Sequence, residues 1–207
     1  MEISPDRERS VHLQVGRLNR VGVVFSCPGR HEEAAGYPAA RATGRNLELL
    51  LALLGEALGR DDLTRENITI TNAWPEVEYR ERTGRTEAGV REVLAPENVE
   101  RLKRELDEVV ELVIFCGGRA KALAPLLRLR HRPRMVFIKH PGLRGLSTIR
   151  SDADGHPIAA AGAVACAGGG AERRARQGEN TRRRVAVLVA SICQQLRDPQ
   201  PDDQAGA

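Results

Sequence analysis

The sequence predicts an α/β protein, a three-layer αβα sandwich built around a central four-stranded parallel sheet. Two observations lead to this prediction. Four short runs are apolar and rich in β-branched residues, and each stops at a Gly, Pro or polar residue, as buried strands do. The segments between them place apolar residues at three- and four-residue spacing, which is typical of helices that cover a sheet. The predicted strands are residues 20–25, 67–71, 112–116 and 135–139.

The predicted helices follow these strands in order. The first begins at Gly44, and the second begins around Pro96, because proline fits the first turn of a helix. A third starts at Arg119 after a Gly-Gly pair, and the last is expected to be capped by Asn180 or Thr181. The main apolar stripes are Leu47, Leu50, Leu51, Leu54 and Leu58, then Val99, Leu102, Leu106 and Val109, and finally Val185, Leu188, Val189, Ile192 and Leu196.

The carboxyl ends of all four strands should meet at one edge of the sheet, since crossovers between parallel strands are right-handed. Ligands bind at this edge in open α/β sheets because several loops converge there. The fourth strand ends at His140, before a Pro-Gly break, and the second is followed by Asn72. Each residue also has an ordinary explanation, a loop histidine that caps a carbonyl and an Asx turn that ends a strand. These two residues are the first candidates for a functional site.

Length and composition limit the classes of function. We expect residues 1–197 of the 207 to form one domain, and residues 198–207 to be a disordered tail. A segment rich in Ala and Gly, residues 159–170, is expected to form a flexible loop. The formal net charge of +4 permits nucleic acid as a partner without requiring it. The aromatic content of 3% argues against a platform of exposed rings that stacks single strands.

The four cysteines, Cys27, Cys116, Cys166 and Cys193, lack the close pairing of a zinc or iron–sulfur site. We therefore predict reduced thiols, no metal and no other cofactor. The N-terminus is charged, and no apolar run approaches the length of a membrane span. We expect a cytoplasmic protein, a monomer, without a membrane partner.

Four groups of residues, one after each predicted strand, resemble the motifs of the uracil-DNA glycosylase superfamily. They are Cys27-Pro28-Gly29 with Gly36-Tyr37-Pro38 and Gly44, then Thr71-Asn72, then Cys116-Gly117-Gly118-Arg119-Ala120, and finally His140-Pro141-Gly142. The resemblance covers residues 20–195, essentially the whole fold. It implies a monofunctional DNA glycosylase, which flips a base out of double-stranded DNA and hydrolyses the N-glycosidic bond to leave an abasic site.

The resemblance also implies roles for individual residues. His140 would donate a hydrogen bond to the departing base, and Asn72 would bind the Watson–Crick edge of that base. Leu143 or Leu146 would wedge into the base stack, while Arg144 meets a phosphate. The alternative for either leucine is an apolar side chain that tucks the loop against the core.

Further contacts to the DNA backbone are expected from small and basic residues. Gly117 and Gly118 would let the backbone approach main-chain amides, with Arg119 beside them, and ordinary tight turns are the alternative. The densest basic run would supply salt-sensitive affinity for phosphates, and a solvated helix face is the alternative. This run comprises Arg173, Arg174, Arg176, Arg182, Arg183 and Arg184.

The chain departs from the family at its water-activating carboxylate. Ser26 and Cys27 stand where the related branch has a glutamate, and a serine cannot act as a carboxylate base at neutral pH without help. Water activation would then fall to another group, or the reaction would depend on stabilising the leaving base alone. The candidates for activating water are Glu32, Glu33, Asp152 and Asp154. The iron–sulfur cysteines of the related branch also have no counterpart.

A second departure concerns the base. Ala39 replaces the phenylalanine that stacks on uracil in the family, and Arg41 replaces a small residue. Loss of that ring gives up stacking of about 1–3 kcal/mol and makes room for a larger group. The expected substrate is a bulky modified base, such as a substituted or glycosylated cytosine in phage or other foreign DNA. It would bind beside Cys27-Pro28-Gly29 and be read by Arg41, Tyr37 or Arg144.

Three alternatives to this function remain open. The first is a noncatalytic module that binds modified or damaged DNA, and the second is a repair glycosylase for uracil or other deaminated bases. The third is a Rossmann-like protein that binds a nucleotide or acyl cofactor, or that uses Cys27 as a nucleophile near His31. The three-glycine dinucleotide fingerprint does not follow the first predicted strand, which disfavours the third.

Overall fold

The computed structural model describes residues 9–159 and 170–198, which form a parallel sheet covered by helices. Most of the predicted flexible segment, Cys166 and nearly all of the predicted tail lie outside these residues. The strands are β1 (Val21–Phe25), β2 (Thr69–Asn72), β3 (Leu112–Cys116) and β4 (Arg134–Ile138). All three strand pairs are parallel, in the order β2-β1-β3-β4, which confirms the predicted α/β class and the four-stranded sheet.

The strand bounds lie close to the predicted ones. β3 has the predicted bounds, and the other three strands are shifted by one or two residues at their ends. One shift matters for the site, because Asn72 is the last residue of β2 and pairs with Phe25 in the sheet register. The backbone of Asn72 is therefore held by regular strand geometry.

The helices lie between and after these strands. They are α1 (Arg30–Ala35), α2 (Arg41–Leu58), α3 (Arg80–Thr83), α4 (Val90–Val93), α5 (Pro96–Leu106), α6 (Gly118–Leu123), α7 (Leu143–Ser147) and α8 (Gly170–Arg197), with a 3-10 turn at Ala124–Leu126. Helix α2 starts three residues before the predicted Gly44. Gly44 therefore lies inside α2 and does not begin it. Only glycine fits at this position, because a Cβ there would be 2.3 Å from the carbonyl oxygen of Ala39.

The predicted cap of the last helix at Asn180 or Thr181 is wrong, because α8 already begins at Gly170. The Thr181 hydroxyl donates to the carbonyl oxygen of Gln177 inside the helix (2.9 Å), instead of capping its start. Residues 170–179 are all exposed, so they carry no apolar stripe from which periodicity could reveal a helix.

The core has one layer on each face of the sheet. On one face α2 and α8 cover β1 side chains such as Val23 and Phe25, and on the other face α5 and α6 cover Val24 and Phe115. Because α8 ends beside Arg134, at the start of β4, it runs antiparallel to that strand. The start of α8 therefore points toward the carboxyl edge of the sheet. Among the described residues, no helix has both the length and the apolar character needed to cross a membrane.

Candidate active site

The loops that follow the four strands meet at the carboxyl edge of the sheet, as predicted. The N–H of Ala73 donates to the carbonyl of Phe25 (2.7 Å), and the N–H of Trp74 donates to that of Ser26 (2.9 Å), which joins the loops after β2 and β1. The N–H of Gly117 donates to the carbonyl of Ile138 (2.9 Å), which joins the loops after β3 and β4. Because β1 and β3 are neighbours in the sheet, Ser26, Asn72, Gly117 and His140 lie along the same edge.

His140 is held in one protonation state and orientation. Its ring packs against Phe25 with the centroids 5.3 Å apart, and the N–H of Gly142 donates to Nδ1 (2.9 Å). Burial lowers the pKa of His140, although Glu87 and Glu32 oppose this shift. The imidazole is therefore neutral at physiological pH, and because Nδ1 accepts a hydrogen bond, the ring proton lies on Nε2. The Nε2–H group is the donor that the predicted role requires.

Glycines around His140 create the space for this ring. A Cβ on Gly142 would lie 2.8 Å from Nδ1 of His140, and a Cβ on Gly145 would lie 2.0 Å from the His140 carbonyl oxygen. Gly117 has a φ of +94° and faces the Cβ of His140. Gly118 differs, since a Cβ there would meet nothing within 4 Å. Gly117 thus supports the histidine, while Gly118 leaves space for another molecule.

Asn72 is buried, with 2% of its surface exposed, and its side-chain Oδ1 has no hydrogen-bond partner in residues 9–159 and 170–198. The alternative of an Asx turn does not hold, because the N–H of Trp74, which such a turn would use, donates to Ser26 instead. An unpaired buried acceptor costs about 1–3 kcal/mol. Such a group, closed to solvent in the free protein, is a candidate to pair with a ligand that enters the site.

The backbone around Asn72 is fixed by α5. Arg101 donates to the carbonyl oxygen of Asn72 (2.9 Å), and Asn98 donates to that of Ala73 (2.8 Å). Arg101 is itself paired with Glu105 (2.6 Å), which also accepts a hydrogen bond from the hydroxyl of Thr71. These contacts hold the end of β2 rigidly beneath the loops.

Glu32, one of the predicted catalytic residues, has a structural role. Its Oε2 accepts from the N–H of Gly29 (3.0 Å), and its Oε1 accepts from the N–H of Ala40 (2.9 Å). Both oxygens are therefore used to close the loop between β1 and α2. A carboxylate engaged in this way is a poor acceptor for a proton from water.

Glu33 and Asp152 are also held by neighbouring side chains, whereas the carboxylate of Asp154 is exposed in the turn that Asp152 closes. Glu33 accepts from the hydroxyl of Tyr79 (2.8 Å), and Asp152 accepts from Arg183 (2.6 Å). Ligand atoms of Asp152, Asp154 and His156 lie within 4.8 Å of one another, a spacing compatible with a metal ion. Because Asp152 is already bound to Arg183 and the other two residues are exposed, the hydrogen bonds of the turn account for this cluster.

The residues expected to read the base are divided between the core and the surface. The ring of Tyr37 packs against the guanidinium groups of Arg9 and Arg65, whose Cζ atoms are 4.2 and 5.3 Å from the ring centroid. Ala39 is 4% exposed and packs in the core, so the space expected from the missing phenylalanine is not open. Arg41 is exposed. The guanidinium of Arg41 is therefore available to a ligand.

The loop after His140 separates the two candidate wedges. Leu143 is 63% exposed, whereas Leu146 is 2% exposed and belongs to the core. The prediction of Leu146 as a DNA contact is wrong, because α7 is a short helix that lies against the core and turns this side chain inward. Leu143 and the exposed Arg144 remain available at the surface.

The first loop also carries Cys27 and Ser26. Burial raises the pKa of the Cys27 thiol to about 11, so it stays protonated at neutral pH and is a weak nucleophile. His31 is exposed on α1. The alternative in which Cys27 acts as a nucleophile therefore has no support. Ser26 is buried, with its hydroxyl 3.5 Å from Oε1 of Glu87.

Glu87 is the residue of this site that sequence reasoning missed. Its carboxylate also lies 3.7 Å from Nε of Arg119, and its side chain is 54% exposed. Glu87 is one of many charged residues between β2 and α5, and no periodicity or motif distinguishes it. Only the way in which this segment crosses the first loop brings it to the site.

The basic run is divided by its contacts. Arg173 and Arg174 are exposed near the start of α8. Arg183 is paired with Asp152, and Arg184 is buried and donates to the carbonyl of Ile149 (3.1 Å). The last two arginines therefore stabilise the fold. The exposed arginines lie on the part of α8 that points toward the carboxyl edge.

An open groove of about 750 Å³ lies elsewhere, between the end of α2 and residues 59–66. Because α2 runs back from the carboxyl edge, this groove is at the opposite edge from His140.

No protein-family model matches the chain, and no curated protein matches it. The resemblance to the uracil-DNA glycosylase superfamily thus rests on the motifs alone.

Proposed function

We propose that this protein is a monofunctional DNA glycosylase that hydrolyses the N-glycosidic bond of a flipped base. The observation that carries the proposal is the combination, at one edge of the sheet, of a fixed Nε2–H donor on His140 and an unpaired acceptor on buried Asn72. A base presents both donors and acceptors on its edge, so it can satisfy both groups at once.

The chemistry of base release needs this pair of groups. Cleavage of the N-glycosidic bond leaves negative charge on the departing base and positive charge on the sugar. A neutral histidine stabilises the base anion by donating a hydrogen bond from Nε2, and it keeps its proton. Oδ1 of Asn72 accepts from an N–H group of the base and fixes its orientation. Leu143 would fill the gap that the flipped nucleotide leaves in the duplex.

The proposed substrate is a modified base, such as a substituted or glycosylated cytosine, and not plain uracil. Position 39 carries no ring to stack on a flat base, and the exposed guanidinium groups of Arg41 and Arg144 offer donors for an added polar group. The partner is double-stranded DNA with one nucleotide turned out. The noncatalytic alternative is favoured by one observation, the serine at the position of the carboxylate in the first loop.

Duplexes that each carry one altered base test the proposal. The panel contains uracil, 5-hydroxymethylcytosine and glucosylated 5-hydroxymethylcytosine, with unmodified cytosine as the control. We expect alkali-labile sites and a free base, identified by its mass, from a modified cytosine. Release from the uracil duplex alone would identify a repair enzyme, and tight binding without release from any duplex would identify a binding module.

The exposed arginines at the start of α8 should give the protein part of its salt-dependent affinity for DNA. Replacing Arg173, Arg174 and Arg176 by glutamine is expected to make the slope of log K against log salt shallower by about one for each phosphate contact that is lost. Arg197→Gln, at the exposed far end of the same helix, is the matched control and should leave the slope unchanged. Equal slopes for the triple variant and the native protein would show that α8 does not touch DNA.

A further inference from the structure

The proposed reaction needs a group that accepts a proton from the attacking water, and the first loop does not provide one. Ser26 is not a base at neutral pH, and both oxygens of Glu32 accept main-chain hydrogen bonds. Glu33 and Asp152 are held by Tyr79 and Arg183. Among the described residues, the carboxylate that contacts the Ser26 hydroxyl is that of Glu87.

Glu87 reaches the site from the segment between α3 and α4. Its Oε1 is 3.5 Å from the hydroxyl of Ser26, the residue that stands where the family has a carboxylate. Its Oε2 is 3.7 Å from Nε of Arg119. Both distances are long for hydrogen bonds, so the carboxylate keeps acceptor capacity, and more than half of its surface is open to solvent. Burial has the largest effect on the pKa of His140 and of Cys27, and the charge of Glu87 acts on both, which agrees with its position near these residues.

Contacts on both sides of Glu87 fix its position. Arg85 donates to both oxygens of buried Glu78 (2.9 and 2.5 Å) and also to Glu92 (2.6 Å). Ala88 is buried, and the N–H of Gly89 donates to Glu92 (2.7 Å). A segment clamped before and after one residue holds that residue in place over the first loop. Catalytic carboxylates need this preorganisation, because misplacement costs rate steeply.

We propose that Glu87 is the general base that activates water, in place of the carboxylate missing from the first loop. This inference rests on the proposed glycosylase function. The water oxygen attacks C1′ of the flipped nucleotide and loses its proton to Glu87. The C1′–N bond breaks, and its electron pair leaves with the base, which His140 stabilises through Nε2–H. The products are a C1′ hydroxyl on the sugar and a base anion that takes a proton from solvent.

The test compares two glutamates of the same segment. Glu87→Gln is expected to lower the single-turnover rate of base release by about 10²–10⁴-fold. The rate is measured on the duplex of the panel from which the native protein releases a base fastest. Binding of that duplex should change less than twofold, as should the midpoint of thermal unfolding. Glu76→Gln, at an exposed position of the segment after β2, is the matched control and should retain the native rate.

Chemical rescue separates a catalytic role from a structural one. With Glu87→Ala, azide should restore part of the rate, because an anionic nucleophile needs no base, and the product should carry an azide at C1′ that its mass reveals. The assignment of Glu87 is overturned if Glu87→Gln has the native rate, or if Glu87→Ala is slow and azide does not accelerate it. In either case, base release by the native protein would still support the glycosylase function. If the native protein releases no base from any duplex, the proposed function and this inference both fail.

Discussion

His140→Asn is expected to lower the rate of base release by about 10²–10³-fold, the usual loss when one preorganised donor to a developing anion is removed. The side-chain oxygen of asparagine can take the place of Nδ1 and accept the N–H of Gly142, which keeps the loop in place. Asparagine is too short to replace Nε2. This substitution therefore removes the donor and retains the loop contact.

His140→Gln is the matched control, because it makes the opposite change. The amide nitrogen of glutamine can reach the position of Nε2, but it leaves the N–H of Gly142 without its acceptor. We expect only about a tenfold loss of rate, together with some loss of stability. Single-turnover rates and thermal unfolding of both variants check the prediction. If His140→Gln is slower than His140→Asn, the histidine acts through the loop and not as a donor.

The sheet was predictable from sequence because its strands are buried on both faces. A run such as Leu112 to Cys116 needs apolar side chains on both faces of the sheet, so its limits are visible in the sequence. The start of α8 was not predictable in this way, since residues 170–179 are exposed and contribute nothing to the apolar pattern. Helix formation there depends on the propensities of Ala, Glu, Arg and Gln, a weaker signal than burial.

The site was predictable only where it lies at strand ends. His140 and Asn72 follow predicted strands directly, and parallel topology then places both at the carboxyl edge of the sheet, although β2 and β4 are its two outer strands. Glu32 and Glu87 lie in long connections, where nearby charges look alike in the sequence. Glu87 approaches Ser26 although the two residues are 61 positions apart. Contacts of this kind depend on loop packing, about which composition and spacing carry no information.

Asn72→Leu is expected to abolish base release without destabilising the protein. Leucine has the same branched shape as asparagine, though it is bulkier, and it has no polar atoms, so it removes the acceptor Oδ1 that has no partner among the described residues. Removing a buried unpaired acceptor stabilises a fold by about 1 kcal/mol, whereas losing contacts to a flipped base costs rate. We expect a rate at least about 10²-fold below that of the native protein.

A second buried asparagine provides the control. Asn98 donates to the carbonyls of Ala73 and Val93 (2.8 and 2.6 Å) and accepts from Arg101 (2.9 Å), so Asn98→Leu removes three buried hydrogen bonds and is expected to lower the free energy of unfolding by about 1–3 kcal/mol. Denaturant unfolding and single-turnover rates distinguish the two positions. If Asn72→Leu loses as much stability as Asn98→Leu, Asn72 has a structural role. If Asn72→Leu raises the free energy of unfolding while Asn98→Leu lowers it, Asn72 serves ligand binding. A functional group without a partner in the free protein costs stability, so its removal stabilises the fold.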